Sequence, residues 1–363
     1  MVCIGGKSKA APAVWAALGD VDHYVEPFAG SMAVLLNRPH PANRTYHSET
    51  VNDADGLLVN AWRAIQQHPE QTADAASNPV AEADLHARHV ALVAWRADRQ
   101  LEHLMGDPTW CEPTMAGWWL WGVSCWIGSG WCSGRGAWTA DDSGRLVKQP
   151  GTGVARQFPQ ISDDGRGVNR PQLREPGVAR QFPHLSDDGR GVNSPQLREV
   201  GEYHPVTMPR LVEWFAWLSA RLRHVRVLNG DWSRVCTSGA LQTLPVRKGG
   251  GCAGVFLDPP YAATADRSSD LYAQDSLTVA HQVREWCLAN GHNPRYRVVL
   301  AGFDGEHGTE LTDAGWSEVE WYAAGWLAGG MGNTGATGHQ QARERLWLSP
   351  HCLAVDPAQP SLF

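Results

Sequence analysis

The sequence lacks the features that would mark a membrane-spanning or secreted protein. No uncharged stretch of 18 residues is apolar throughout, because the nearest candidate, 117–134, is interrupted by Gly and Ser, and the N-terminus carries no apolar run, so we expect neither a bilayer span nor a signal peptide. The eight Cys are scattered and form no C-x-x-C pair. This spacing argues against a zinc site or a disulfide framework and favours reduced thiols in the cytoplasm. We therefore expect no metal and no membrane among the partners of this chain.

Charged residues are also few, at 19% of 363 residues, and 31 Lys+Arg against 38 Asp+Glu give a formal charge of −7. This balance excludes a histone-like or polybasic protein, although a local basic face could still bind a polyanion. With 43% hydrophobic residues and 18 Trp, the chain can bury a sizeable core and is not disordered. Its length predicts two domains, or one domain with a large insertion.

Alternating strand and helix patterns predict an α/β fold at both ends of the chain. Residues 24–26, the turn at Gly30 and the apolar residues 32–36 predict a strand, a tight turn and a helix. Further strands are predicted at 46–52, 225–228, 255–257, 297–303 and 344–348, and further helices at 57–65, 211–222 and 277–287. This order predicts a doubly wound, Rossmann-like sheet.

The segment 67–204 interrupts this pattern and is predicted as an inserted domain, mostly helical and rich in loops. It contains a helical stripe from Glu82 and two near-identical copies of one sequence at 153–175 and 177–199. Two copies are too few for a solenoid, and their Pro, Gly and Asp content indicates turns. A duplicated surface loop and a loop whose Arg residues contact a polyanion are both open interpretations. The flanking segments 1–66 and 205–363 would form one segmented domain.

Six of the 18 Trp residues lie close together in this inserted segment, just before the repeats, and the others are spread along the chain. We expect its Trp residues to pack in a core, with stacking on a ligand as the alternative. The cluster comprises Trp110, Trp118, Trp119, Trp121, Trp126 and Trp131.

Acidic or glycine-containing turns follow four of the predicted strands. Because ligands of open α/β sheets bind beyond the carboxyl ends of the strands, we expect a site where Glu26, Gly30, Asp53, Asp231 and Asp258 come together. Backbone N–H groups after Gly30 could bind a carboxylate, and Asp53 suits a ribose diol. A plain structural turn and a helix cap are the alternatives for these two positions. The turn at Gly30 has neither the phosphate-binding P-loop pattern nor the G-x-G-x-x-G spacing, which disfavours a nicotinamide dehydrogenase.

The four residues Asp258-Pro259-Pro260-Tyr261 carry the most specific chemistry. Proline has no N–H, so the strand cannot continue through them. The Asp258 carboxylate and the Pro259 carbonyl are then two acceptors at a strand end, and two acceptors suit an exocyclic NH₂ group. Tyr261 offers a platform on which the ring bearing that amine can stack.

These motifs together resemble the Dam-like, adenine-specific DNA methyltransferases. The matching stretches stand in the family's order: Gly5-Gly6-Lys7, the donor loop 24–31, the strand end 51–55, the turn Asn229-Gly230-Asp231 and D-P-P-Y at 258–261. The donor loop precedes D-P-P-Y by more than 200 residues, which resembles the alpha arrangement. In that arrangement the segment between them recognises the target.

The resemblance implies S-adenosylmethionine as cofactor, double-stranded DNA as partner, and methyl transfer to the N6 amine of an adenine flipped out of the helix. The implied catalytic residues are Asp258, Pro259, Pro260 and Tyr261. The implied cofactor-binding residues are Lys7, Glu26, Pro27, Phe28, Ala29, Gly30, Ser31, Asp53 and Asp231. In the repeats, the candidate DNA contacts are Arg156, Arg166, Arg180 and Arg190.

Other functions remain open at the level of sequence. The methyl acceptor could be a cytosine amine or an RNA, and a catalytically idle nucleic-acid-binding relative would keep the same fold. D-P-P-Y favours adenine, and the intact donor loop argues against an idle protein. No motif resembles a nuclease, so a partner nuclease is not evident. We expect a modification enzyme that acts alone.

Overall fold

The structure is a computed structural model. It describes residues 7–39, 48–98, 100–126, 131–132, 138–140, 146–148, 208–243, 246, 248, 250–260, 276–307, 309–320 and 344–355, together with four two-residue strands in the repeats.

The central element is a seven-stranded sheet with helices packed against it. In chain order its strands are β1 (His23–Glu26), β2 (Ser48–Asp53), β9 (Val225–Asn229), β10 (Ala253–Leu257), β11 (Tyr296–Phe303), β12 (Ser317–Glu320) and β13 (Glu344–Leu348). Their order across the sheet is β12-β13-β11-β10-β1-β2-β9. The five strands from β11 to β9 are parallel, and β13 runs antiparallel to both of its neighbours. This confirms the predicted α/β fold and is consistent with a Rossmann-like methyltransferase sheet.

The chain changes direction across the sheet between β1 and β10. From β1 it moves outward through β2 to β9, and it then returns to the other side of β1 to form β10. The register pairs Val25 with Val255 and Glu26 with Val51. Adjacent parallel strands whose connections lead away in opposite directions leave a crevice at their carboxyl ends, which is where ligands of such sheets bind.

The described helices are α1 (Ala11–Leu18), α2 (Ala33–Leu36), α3 (Gly56–Gln67), α4 (Pro69–Ala76), α5 (Glu82–Ala97), α6 (His103–Gly106), α7 (Pro113–Cys125), α8 (Met208–Leu222), α9 (Ser238–Leu241), α10 (Ser276–Asn290) and α11 (Glu310–Asp313). Two of the longer ones begin at side chains that cap them. The Asp55 side chain accepts a hydrogen bond from the N–H of Leu57 at the start of α3, and Glu112 does the same for Met115 at the start of α7. Among the helices described, none is both long and apolar enough to cross a membrane.

The first helices of the segment 67–204 share a core with the sheet. Ala73 of α4 and Leu120 of α7 belong to the same buried cluster as Tyr24 of β1. The buried guanidinium of Arg63 on α3 donates to the carbonyl of Val227 on β9 and to that of Asp107. The segment is therefore anchored on the sheet at its N-terminal end, and the inserted recognition domain stays a prediction.

Helix α7 is not predicted by the sequence pattern, because it is apolar on nearly all sides. Such a helix shows no amphipathic period, because it is surrounded by other elements. Its two glycines mark the close contacts: a Cβ at Gly117 would overlap that of Ala75, and one at Gly122 would overlap the Trp131 ring.

Most of the Trp cluster packs internally, as expected. Trp121 is buried and receives the guanidinium of Arg88 over its ring at 4.3 Å. Trp126 and Trp131 pack on each other and on His89 of α5.

The remaining described strands form separate pairs, β3 (Trp138–Ala140) with β4 (Leu146–Lys148) and, in the repeats, β5 (Gln160–Ile161) with β6 (Val168–Asn169) and β7 (His184–Leu185) with β8 (Val192–Asn193).

Candidate active site

The carboxyl ends of β1, β2, β9 and β10 lie side by side at one edge of the sheet. Asp53 ends β2, and Asp258 follows β10 directly. Glu26 ends β1 and is almost fully buried. The structure therefore brings together acidic groups that lie up to 232 positions apart in the sequence. This edge is the candidate active site.

Asn52 fastens three of the strand ends to one another. Its buried side-chain amide donates to the carbonyl of Pro27, 3.1 Å away, and to the carbonyl of Gly230, 2.9 Å away. The backbone N–H of Ala29 donates in turn to the carbonyl of Asn52. One residue thus holds the turn after β1 against the turn after β9. Asn52 belongs to the motif 51–55 but has no role predicted from the sequence; an amide directly before a strand-end Asp is the signal that could have suggested one.

The turn at Gly30 is held from two further sides. Its N–H donates to Oδ2 of Asp53 at 2.9 Å, and its carbonyl accepts from Nε1 of Trp62 at 2.9 Å. The φ of Gly30 is 46°, and Met32 two residues later also has a positive φ of 53°. Non-glycine residues rarely adopt such backbone angles. The turn is therefore a rigid loop in which the surroundings fix an unusual backbone.

The Glu26 carboxyl is protonated at neutral pH in the protein alone. Burial, together with the nearby charges of Asp258 and Asp53, raises its pKa to about 8, against the opposing effect of hydrogen bonds from Tyr24 and from the N–H of Leu35. The Tyr24 hydroxyl donates to Oε2 of Glu26 at 3.0 Å. A buried carboxyl of this kind ionises readily when a cation binds beside it.

Asp53 is tied into the backbone around it. Oδ1 accepts from the N–H of Asp55 and Oδ2 from that of Gly30, each at 2.9 Å. Burial raises the pKa of Asp53, although these hydrogen bonds lower it. Both oxygens keep lone pairs for hydroxyl donors of a ligand. Asp55 caps α3 and pairs with Arg96 of α5 at 3.0 Å, which links the inserted segment to this strand end.

An aromatic pair stands between the turns that follow β1 and β9. The rings of Phe28 and Trp232 are stacked, with centroids 6.1 Å apart and planes inclined by 26°. Asp231 accepts hydrogen bonds from the N–H and the hydroxyl of Ser233, so these contacts are those of a local cap. Trp232, which the sequence analysis did not single out, brings the larger apolar surface to this corner.

An ion triad lies at the end of β10. Nζ of Lys7 is 3.4 Å from Oδ1 of Asp258 and 3.2 Å from Oε2 of Glu344. Lys7 belongs to a short 3-10 turn before α1, and Glu344 is the first residue of β13. Lys7 is predicted from the sequence as a cofactor-binding residue, whereas Glu344 is not predicted as part of the site. The only signal in the sequence for Glu344 is a charge at the start of an otherwise largely apolar strand.

The described residues include most of the predicted site. Pro27, Ala29 and Ser31 lie in the donor loop, and Pro259 and Pro260 follow Asp258 beyond the last residue of β10. The predicted residues outside the described part of the chain are Tyr261, Arg156, Arg166, Arg180 and Arg190.

Several acidic groups, a rigid glycine turn and an aromatic pair suit a ligand that is cationic at one point and carries hydroxyl donors and a flat ring elsewhere. Within the described ranges, no group of three His, Cys, Asp or Glu residues could hold a metal ion.

Comparison with known families matches the N-terminal part of the chain. The family model of the D12 class N6 adenine-specific DNA methyltransferases matches residues 4–90. The matched stretch contains Lys7, Glu26, the Gly30 turn and Asp53, and ends within α5. No curated protein is similar enough to the chain to be matched.

Proposed function

We propose that this chain, identified by its family match as an N6 adenine-specific DNA methyltransferase, binds S-adenosylmethionine at the ends of β1, β2 and β9 and methylates adenines flipped out of double-stranded DNA. The observation that carries the proposal is the position of Asp258-Pro259 beside the buried Glu26 and the Gly30 turn, at the point where the order of the sheet reverses. We propose that the enzyme acts in the cytoplasm as a modification enzyme.

The residues at the strand ends fit this cofactor. S-adenosylmethionine supplies a methyl group on a positively charged sulfur, and it also carries an ammonium, a ribose diol and an adenine ring. Glu26 would ionise to meet the positive charge, since its pKa of about 8 lies close to neutral pH. Asp53 would accept from the ribose hydroxyls, and Phe28 and Trp232 would border the adenine. Lys7, Pro27, Ala29, Ser31 and Asp231 complete the proposed cofactor site.

The acceptor amine would lie at the end of β10. The Asp258 carboxylate and the Pro259 carbonyl would each accept one hydrogen of the exocyclic amine. With both hydrogens held in this way, the nitrogen lone pair points out of the base plane, where a methyl group can be attacked in line. Positioning of this kind is worth several kcal/mol of a barrier. Pro260 stiffens the turn, and we assign Tyr261 to stacking on the flipped ring, worth about 1–3 kcal/mol.

Extrusion of the base would be driven by contacts outside this edge. Unpairing costs a few kcal/mol, and phosphate contacts supply most of the affinity for DNA. We assign those contacts to the segment 67–204, including Arg156, Arg166, Arg180 and Arg190 of the repeats. Deleting one repeat copy tests this assignment, because unchanged affinity and target preference would favour a passive surface loop.

Two measurements on one pair of proteins test the proposed function. The wild-type protein should transfer label from S-adenosylmethionine to N6 of adenine in unmethylated DNA, with the modified positions identified by sequencing. Asp258→Ala should bind the cofactor with a Kd within about twofold of wild type but lose transfer by at least about 10²-fold, the scale of a lost acceptor at the reacting centre. Near-normal turnover by Asp258→Ala would overturn the assignment, and label on cytosine or only on RNA would change the substrate.

A further inference from the structure

The triad of Lys7, Asp258 and Glu344 is shielded from water. The side chains are 10%, 20% and 14% exposed, respectively, and both carboxylates lie within 3.4 Å of one ammonium nitrogen. Ion pairs at the surface are weakened by solvent and salt, but partly buried charges such as these interact strongly. The triad carries two negative charges against one positive charge when all three groups are ionised.

Glu344 reaches this site only through the fold. It stands opposite Phe303 in the antiparallel pair of β13 and β11, at the carboxyl end of β11. The last three residues of β13 are buried among apolar neighbours. A carboxylate at the first position of that strand contributes nothing to the core, so its contact with Lys7 calls for an explanation in terms of the site.

We propose that Glu344 is a positioning residue for methyl transfer, which holds the Lys7 ammonium and keeps the triad at a net charge of −1. This inference rests on the proposed function of Asp258 as the acceptor for the adenine amine. Without Glu344, Lys7 would neutralise Asp258 alone and compete with the amine for its oxygens.

The charge balance of the reaction explains why an excess negative charge helps. The bond from N6 to the methyl carbon forms while the carbon–sulfur bond breaks, and its electron pair goes to the sulfur. The positive charge passes to N6, which then gives one proton to the Asp258 carboxylate, and from there the proton passes to water. A net negative charge beside N6 stabilises the transition state more than the ground state, in which the positive charge is still on the sulfur. Interactions that strengthen only in the transition state raise kcat.

The first test is Glu344→Gln, which keeps the shape of the side chain and removes its charge. At an effective dielectric constant of about 20, removing a unit charge several ångströms from N6 can change a rate by more than tenfold. The Glu344 charge also stabilises the positive charge on the nearby sulfur in the ground state. This offsets part of the effect on the transition state, so we expect kcat to fall about tenfold. The Kd for S-adenosylmethionine, measured by calorimetry, and the melting temperature should stay near the wild-type values. Glu320→Gln is the matched control, because Glu320 lies on the adjacent β12 and pairs with Arg345 at 2.9 Å.

The second test is a double-mutant cycle with Lys7→Met. In that background the ammonium that both carboxylates contact is gone, and repulsion between neighbouring like charges weakens Asp258 as an acceptor for the amine. Glu344→Gln should therefore raise kcat in the Lys7→Met protein, although it lowers kcat in the wild-type protein. A residue that only supports the fold would give losses of the same sign in both backgrounds.

The outcomes separate this inference from the proposed function. Wild-type transfer to adenine together with an unchanged kcat for Glu344→Gln, or with losses in both backgrounds, would overturn the role of Glu344 and leave the proposed function standing. An absence of transfer by the wild-type enzyme to any DNA would overturn both.

Discussion

Replacing Glu26 by Gln should stabilise the protein while weakening cofactor binding. The carboxyl has a pKa of about 8 in the folded protein, against an ordinary value of 4.5. At pH 7 it is ionised in the unfolded chain and protonated in the folded one, so folding must take up a proton. At about 1.4 kcal/mol for each pH unit above the ordinary pKa, this lowers the free energy of unfolding by about 3 kcal/mol.

The decisive measurement is how the free energy of unfolding changes with pH, because the stability at a single pH also reflects the hydrogen bonds that the amide changes. In the Glu26→Gln variant, the single amide oxygen could accept from Tyr24 or from the N–H of Leu35, and the lost bond costs about 1 kcal/mol. We therefore expect a net gain of about 2 kcal/mol at pH 7. Below pH 4.5 the Glu26 carboxyl is protonated in both the folded and the unfolded state and costs no stability; the cost grows as the pH rises and is complete above about 8. Relative to the variant, the wild-type protein should lose about 1.4 kcal/mol per pH unit across that window.

Urea unfolding measures the difference in free energy of unfolding between wild type and Glu26→Gln directly. It is carried out on the cofactor-free proteins at pH values from about 4 to about 9, which bracket this window. Glu320→Gln serves as the control and should follow the wild-type curve, because its side chain is 70% exposed. Calorimetry in buffers of different ionisation heat should show that the wild-type protein releases a proton on cofactor binding below about pH 8 and that Glu26→Gln does not. Parallel stability curves for wild type and Glu26→Gln across the window would refute the reasoning.

Three further changes probe the supports of the site. Gly30→Ala should raise the cofactor Kd and cost about 1 kcal/mol of stability, because a φ of 46° is strained for alanine. Space is not the obstacle, since the described part of the chain has no atom within 4 Å of the added Cβ. The control, Gly305→Ala, has a φ of 77° and similar space and should cost stability without changing the Kd. Trp62→Phe should raise the cofactor Kd severalfold, because it removes the 2.9 Å hydrogen bond from the indole to the Gly30 carbonyl. The control is Trp316→Phe, which removes an indole N–H that has no hydrogen-bond partner among the described residues. Gly122→Ala should lower the melting temperature, because its Cβ would clash with the Trp131 ring and overpacking costs about 1–3 kcal/mol. Gly239→Ala is the control, since a Cβ at Gly239 would meet no described atom within 4 Å.

The strand ends could be predicted from the sequence because their causes are local. The run 253–257 is apolar and stops where proline removes the next backbone N–H, so the end of β10 follows from covalent structure. The same holds for β1, which ends before Pro27 and the Gly30 turn. Since parallel strands end at one edge, placing Glu26, Asp53 and Asp258 together required only the α/β pattern.

The parts of the site that the sequence did not reveal depend on long-range packing. Glu344 follows Asp258 by 86 positions and reaches it only because β13 returns antiparallel to β11. The roles of Asn52 and Trp62 depend on which carbonyls lie opposite them, in turns formed by other strands. Helix α7 could not be predicted from the sequence, because a helix that is apolar on nearly all sides shows no periodic pattern of hydrophobic residues.

The acidity of this edge also constrains how DNA can approach it. Asp53, Asp258 and Glu344 surround the proposed transfer site, together with Glu26, which we expect to ionise when the cofactor binds, and Lys7 compensates only part of their charge. Such an edge attracts a sulfonium and an ammonium but repels phosphates, which DNA carries at about one per 1.7 Å of helix axis. The duplex backbone must therefore remain at a distance while the base reaches in. This requirement favours an extruded nucleotide over a bound duplex at the site. It is also compatible with a net charge of −7, because the phosphates need a cationic surface elsewhere and not at the site of transfer.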